Sequence, residues 1–315
     1  MLTLDTICDT RGDTQSCFYL PGMEIRCFSA WDYLRDIVRA LEKGDSLVGE
    51  SLVCEIPGSP ATDPVRDPLA LLGLSREIIS ELHHFSPTVI LAGIDPETIP
   101  MEVVRARLKM EWGHSVRVVG YAPQSLNAIF DGIKAIGRSL ECPGVALGVS
   151  ERLRSQLLDW ADSFYERIRN KRVVFLSSID PLMIAGQWVG DLIRFASAKP
   201  LYWAGESFYK VVNWSDICNF SPDVLIVAPT GASLSASMSC LPQLEALPGW
   251  DNLPAVKRGE VIFCDGVNHF YEPGLGIRES AAILFSAIAG FDSGYITPRD
   301  IFRRLRWVEL RRGQW

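Results

Sequence analysis

The chain has 315 residues, 48% of them hydrophobic and 22% charged, with a formal net charge of −7. That length accommodates two domains, and the apolar fraction is that of a globular protein rather than a disordered chain. The acidic balance argues against nucleic acid as the main partner, because phosphate binding needs a cationic face. No stretch approaches the ~20 continuous apolar residues of a membrane span.

Residues 1–23 carry no hydrophobic periodicity and read as an N-terminal extension. They hold acids and polar residues where a secretory signal would have a basic start and an apolar core, so the chain is expected to be cytoplasmic, exported only if a processed leader precedes it. The eight cysteines, Cys8, Cys17, Cys27, Cys54, Cys142, Cys218, Cys240 and Cys264, are dispersed with no CxxC among them. That pattern fits a reducing compartment, offers no zinc-ligand spacing and suits small buried apolar residues.

From residue 24 strand and helix patterns alternate. A strand at 25–28 leads to a helix at 31–41 closed by Gly44, then to a strand at 46–53 and a turn-rich loop around Pro57-Gly58-Ser59-Pro60. A helix at 75–84, a strand at 88–92, the loop Gly93-Ile94-Asp95-Pro96, a helix at 101–112, a strand at 116–121 and a helix at 124–140 complete a first lobe, 24–146. A long helix opens at Ser150-Glu151 and ends near Asn170. Its apolar positions, among them Leu153, Leu157, Trp160, Phe164, Tyr165 and Ile168, cover a broad face, which suits a linking helix (147–171) packed against more than one body.

The second lobe, 172–292, repeats the scheme. A strand at 173–176 stops at the turn Ser177-Ser178-Ile179-Asp180-Pro181, and a helix follows from Gln187. Further strands are expected at 201–204, 224–228 and 261–264. Helices are expected at 215–219, at 234–246 with an interruption at Pro242, and at 276–289. In the basic tail, 293–315, Arg303, Arg304, Arg306, Arg311 and Arg312 alternate with Leu305, Trp307, Val308 and Leu310, the pattern of a solvated helix face.

An internal repeat supports the two-lobe reading. Phe85-Ser86-Pro87-Thr88-Val89-Ile90-Leu91 is echoed by Phe220-Ser221-Pro222-Asp223-Val224-Leu225-Ile226, and Gly49-Glu50-Ser51 by Gly205-Glu206-Ser207. The expected fold is α/β: two Rossmann-like lobes with central, mostly parallel sheets, joined by one long helix, with a ligand cleft between them.

Four segments carry a family resemblance: DPLMIAGQWVGDLIRFA (180–196), SPDVLIVAPTG (221–231), LPGWDNLPAVKRGEVIFCDG (247–266) and the aromatic loop Asn268-His269-Phe270-Tyr271-Glu272-Pro273-Gly274. Together they resemble the helix-linked periplasmic binding proteins that bring corrinoids, haem and ferric siderophores to ABC transporters, most of all the cobalamin-binding branch. The resemblance spans about 25–290 and is stronger in the second half. It implies a small-molecule ligand between the lobes, cobalamin or haem being the named candidates, and an ABC permease as partner. It also implies that acids opening equivalent helices in the two lobes, Glu77 and Asp216, dock onto that permease. Acids in a first helical turn also favour the helix dipole with no partner at all.

Ligands of open α/β sheets collect at the carboxyl ends of the strands, which makes 180–188 the first ligand-facing candidate. Within it Asp180 and Gln187 are polar, and Trp188 either stacks on a flat ligand or fills the core. Asp95 and Thr230 occupy repeat-related loops and are expected to face one another, although Asp95 equally suits a helix cap. Gly231 lets a ligand approach the backbone. Asp265, His269, Phe270 and Tyr271 form the loop after the last strand, where a neutral imidazole can ligate a metal or bond a carboxylate.

No GxSxG, HExxH, P-loop or GxGxxG motif anchors an enzyme reading. Two other classes remain. One is a cytosolic enzyme or sensor taking an anionic small molecule at the serine run Ser233, Ser235, Ser237 and Ser239. The other is a degenerate binding fold kept for protein interaction.

Overall fold

The computed structural model describes residues 24–50, 69–95, 100–202, 209–267 and 269–290, together with the backbone of 7–8, 14–15 and 302–305. Two short strands, β1 (Ile7–Cys8) and β2 (Thr14–Gln15), pair with each other. The first lobe is built on β3 (Cys27–Ser29), β4 (Val89–Ala92) and β5 (Arg117–Gly120), all parallel, with β4 in the centre. Around it lie α1 (Asp32–Ala40), α2 (Arg76–Leu82), α3 (Met101–Trp112) and α4 (Leu126–Ser139). The strand expected at 46–53 is not formed over its described part. A 3-10 turn at Gly44–Ser46 is followed by a single bridge from Leu47 to Cys27, and 51–53 lie outside the described residues.

The linking helix α5 spans Pro143–Ile168, opening earlier than its apolar pattern suggests because Pro143 takes the first turn, where its missing N–H costs nothing. It buries Leu153, Leu157, Trp160, Phe164 and Ile168, and packs against α4 of the first lobe and α11 (Ile277–Ala289) of the second.

The second sheet is mixed. Its core order, β10 (Val224–Val227) between β6 (Arg172–Ile179) and β11 (Val261–Cys264), is parallel and matches β4 between β3 and β5. The short β8 (Lys199–Pro200) also runs parallel to β6. Three antiparallel strands, which the periodicity does not reveal, extend it: β7 (Leu182–Ala185), β9 (Tyr209–Val211) and, at the far edge, β12 (Phe302–Leu305). So β6 does not end at the expected turn. It runs on to Ile179 and folds back through Asp180–Pro181, a cis peptide, as a hairpin. Arg303 and Arg304 lie in β12 rather than on a helix.

Alternation along the central strands sorts the helices onto two faces, as a doubly covered sheet requires. Val173, Phe175, Ile226 and Ile262 share a core with α5, α6 (Gln187–Phe195) and α11 (Ile277–Ala289). Val174, Leu176, Leu225 and Phe263 face α7 (Trp214–Phe220), α9 (Leu241–Glu245) and α10 (Pro254–Arg258). The helical stretch expected at 234–246 is divided into α8 (Leu234–Met238) and α9, with Pro242 in the first turn of α9.

The sequence repeat has a physical basis. Ser86 and Ser221 both adopt positive φ, 44° and 54°, immediately before a proline and a central strand. Next, the backbone N–H of Arg26 donates to Thr88 Oγ1 at 2.9 Å, and that of Arg172 to Asp223 Oδ2 at 2.9 Å. Each locks the start of the first strand of its lobe to the start of the central one.

Asp223 also accepts from the Arg172 guanidinium and from Arg258. Burial pushes its carboxyl up, but the arginine bonds outweigh that and hold it below its ordinary 3.8. A carboxyl held low contributes stability present above its unfolded value and lost as the pH falls through the folded one. Asp223→Ala should therefore cost about 1–3 kcal/mol in urea denaturation at neutral pH. The deficit should shrink once the pH drops below 3.8; a pH-independent deficit would assign Asp223 a purely steric role.

Candidate functional site

The carboxyl ends of the two sheets meet, and the loops there connect the lobes. From the first lobe come Trp31 and Tyr33 at the start of α1, Gly93 to Asp95 after β4, and Tyr121 after β5. From the second come Ala228 to Gly231 after β10 and the long loop between β11 and α11.

Two interlobe bonds fix their spacing. The Tyr121 hydroxyl donates to the Pro273 carbonyl at 2.6 Å. Asp191 on α6 accepts from the Leu126 N–H at 2.9 Å, capping α4 from the other lobe. A Cβ at Gly274 would sit 2.9 Å from Tyr33 Cβ, so glycine lets that loop press against the first lobe.

On the first-lobe side, Tyr33 and Tyr121 face one another with ring centroids 6.1 Å apart. Gly93 leaves room for the Tyr33 hydroxyl and the Trp31 indole, since its Cβ would lie 2.3 Å from Tyr33 Oη. Burial pushes both phenols well above their ordinary range, so they stay neutral donors.

On the second-lobe side, the Tyr209 and Tyr271 rings lie 6.3 Å apart. Thr230 donates its hydroxyl to Tyr209 Oη at 3.2 Å, and Tyr271 donates to the Ala228 carbonyl. The backbones of the two loops are laced together, Gly231 N–H to the Gly266 carbonyl at 3.0 Å and Gly266 N–H to the Ala232 carbonyl at 2.8 Å. A Cβ at Gly266 would meet the Pro229 oxygen at 2.1 Å, so this approach admits only glycine.

The sequence-chosen residues separate into three groups. Thr230, Gly231, His269 and Tyr271 gather on the second-lobe loops and Asp95 on the first. Asp265 lies there too, spending one oxygen on the Val267 N–H at 2.7 Å in a local turn. Asp180 is exposed at the tip of the β6–β7 hairpin, and Gln187, with φ of 45°, starts α6 half-buried.

The third group belongs to the core. Trp188 is only 1% exposed, so its indole offers no face to a ligand; α6 turns it inward with Val189, Leu192 and Ile193. Phe270 is also 1% exposed, packed edge-on against Phe175 at 5.0 Å with its N–H bonded to Ser280. It anchors the loop.

Tyr33, Tyr121, Tyr209 and Glu272 were not singled out. Isolated aromatics next to strand ends were their only signal, and the pairing appears only when the loops meet. Glu272 faces Asp32 and Asp36 of α1; burial, then these two charges, push its carboxyl up.

The serine run is used locally. Ser233 caps α8 by accepting from the Ala236 N–H, and Ser239 donates to the Ala236 carbonyl. At five residues, α8 gives no support to the anion-site reading. Glu77 and Asp216 are exposed in the first turns of α2 and α7, where Asp216 accepts from the Asn213 N–H at 3.1 Å. Among the described residues no cluster of His, Cys, Asp and Glu is arranged to hold a metal, and no helix is long and apolar enough to cross a membrane.

Two α/β lobes bridged by one helix, with their strand ends facing across a narrow junction, define a two-lobed solute-binding architecture. The family model described as periplasmic binding protein matches residues 36–267, and the chain belongs to that family.

Solved structures agree on the fold. A possible iron-binding (periplasmic solute-binding) protein from Staphylococcus epidermidis is similar at 22% identity and a TM-score of 0.63, over 84% of this chain and 97% of that one. The periplasmic vitamin B12 binding protein BtuF of Vibrio cholerae is similar at 17% identity and a TM-score of 0.56, over 85% and 98%. The periplasmic heme-binding protein RhuT from Roseiflexus sp. RS-1 is similar at 22% and 0.58, over 85% and 99%. Among curated proteins none matches the chain.

The family membership overturns the cytoplasmic expectation, for both the family and these neighbours are periplasmic by description. Dispersed cysteines misled because burial accounts for three of the five described ones, Cys27, Cys142 and Cys264, without any reducing compartment. Cys27 and Cys264 are wholly buried, and desolvation raises the Cys27 thiol to about 12.

Burial lowers the His269 imidazole from its ordinary 6.5, against the opposing pull of Asp265 and Glu279. A histidine held low supplies stability present above 6.5 and lost as the pH falls through its folded value. The wild-type melting temperature should therefore fall more steeply than that of His269→Gln between about pH 7 and about pH 5. Parallel curves would mean that His269 titrates as it does in the unfolded chain.

Proposed function

We propose that this chain captures a flat, partly apolar metal chelate, a corrinoid or a haem, between its lobes and presents it to an ABC permease. The observation that carries the reading is the presence of half-buried tyrosines on both sides of the junction, Tyr33 from the first lobe, backed by the buried ring of Tyr121, and the pair Tyr209 and Tyr271 from the second. Rings with a polar edge give a flat ligand contact area and oriented hydrogen bonds together, the usual make-up of small-molecule clefts. Family membership and neighbours named for vitamin B12 and heme support the ligand class. His269, kept neutral by burial, is the side chain suited to an axial metal contact.

The test is an absorbance titration with cyanocobalamin and with haemin. One of them should bind, and Tyr209→Ala should weaken that binding tenfold or more, a loss of about 1.4 kcal/mol, with the melting temperature nearly unchanged. No spectral change with either ligand would sink the proposal.

Docking on the permease is proposed through Glu77 and Asp216, one exposed acid on each lobe. Reversing both charges, Glu77→Lys with Asp216→Lys, should abolish stimulation of the reconstituted permease ATPase while ligand affinity stays put. Undiminished stimulation would remove these acids from the interface.

A further inference from the structure

We infer that Trp31 and Tyr33 form a two-donor fork that takes one acceptor oxygen, of a carboxylate or an amide, at the edge of the ligand. This rests on the reading of the cleft as the solute site and names the ligand feature that the first lobe recognises. Gly93 brings the donors together. A Cβ there would lie 2.3 Å from Tyr33 Oη and 2.7 Å from Trp31 Nε1. Two donors that near to one point can share a single oxygen, since each bond reaches about 2.9 Å.

Both donors are unengaged. Among the described residues the Trp31 indole N–H and the Tyr33 hydroxyl give no hydrogen bond to another protein group. Other hydroxyls of the junction are taken up: Tyr121 by the Pro273 carbonyl, Tyr271 by the Ala228 carbonyl and Thr230 by Tyr209. Trp31 is only 7% exposed, and a buried N–H nearly always has a partner, because drying it unpaired is unfavourable. A ligand oxygen supplies that partner without breaking an existing bond.

Both side chains are also held in place. Trp31 immediately precedes α1, its backbone N–H on Ser29 Oγ at 3.2 Å and its carbonyl accepting from the Leu34 and Arg35 N–H groups at 3.2 and 3.1 Å. The Tyr33 ring faces Tyr121, itself tied to the second lobe. Tyr33 also borders a recess of ≈ 190 Å³ with Phe270, Glu272, Gly274 and Ser280, so it meets open space as well as core. Burial and then the Glu272 charge push the phenol up, which keeps its proton available for donation. A macrocycle with only alkyl groups at its edge leaves both donors unpaired, and rejection on that ground is stronger than apolar contact alone supplies.

Tyr33→Phe removes one donor and keeps the ring. In absorbance titrations it should weaken whichever of haemin and cyanocobalamin the wild-type protein binds by about fivefold, with the melting temperature unchanged or higher. Gly93→Ala, whose Cβ displaces both donors, should weaken binding at least as much, and the double variant should lose less than the product of the two. Iron octaethylporphyrin, a haemin analogue with no oxygen on its ring edge, should bind the wild-type protein less tightly than haemin and lose nothing further in Tyr33→Phe.

Unchanged affinity in both single variants, for a ligand that the wild-type protein binds, would overturn the fork and leave the flat-chelate reading intact. A Tyr33→Phe loss as large for iron octaethylporphyrin as for haemin would also overturn it, by assigning the hydroxyl to packing. If neither haemin nor cyanocobalamin binds, the flat-chelate reading falls and the fork with it.

Discussion

The site depends on one constraint: a single hydrophobic core passes from the first lobe through α5 into the second. Leu34, Leu91, Ile133, Leu157, Phe164, Phe175 and Ile283 all belong to it. Each fully buried side chain of this kind contributes about 1.5–3 kcal/mol relative to exposure, so the lobes cannot part without opening core. The Tyr121–Pro273 and Asp191–Leu126 bonds add two further ties between the lobes. The loops of the cleft can be glycine-rich and closely apposed because the scaffold beneath them fixes their spacing.

Much of this scaffold is legible in the sequence, and for identifiable reasons. The FSPTVIL and FSPDVLI segments repeat because each must supply a positive-φ serine, a proline and a buried central strand in succession. Their fourth residues, Thr88 and Asp223, look unalike, yet both accept a strand-initiating N–H. Long periodic helices such as α3 and α11 stand where the pattern puts them. What escaped was structure set by partners rather than periodicity. Strands β7, β9 and β12 are too short to alternate visibly, and each exists by completing an edge or a hairpin of a sheet.

The site was less legible than the fold. Sequence reasoning chose the loop after β11 but counted Phe270 among its ligand contacts beside Tyr271, and did the same for the tryptophan after Gly186. Both are core residues, since a large apolar side chain near a strand end is more often buried than displayed. Three tyrosines, Tyr33, Tyr209 and Tyr271, stay half-buried at these loops, because a phenol needs a polar partner, while Tyr121 is 4% exposed. The tyrosine pairings at 6.1 and 6.3 Å join residues far apart in the sequence, which no local pattern can foretell.

The buried thiols carry a last consequence, one of timing. Cys27, Cys142, Cys218, Cys240 and Cys264 are free among the described residues. Burial takes Cys27 and Cys264 out of reach of oxidants by suppressing the thiolate, the reactive form. That protection exists only after folding. In the unfolded chain the same sulfurs titrate normally and can form wrong disulfides in an oxidising compartment. Pairing of β3 with β4 and of β11 with β10 must therefore outrun oxidation, which makes folding speed, and not only final stability, a property on which the yield of active protein depends.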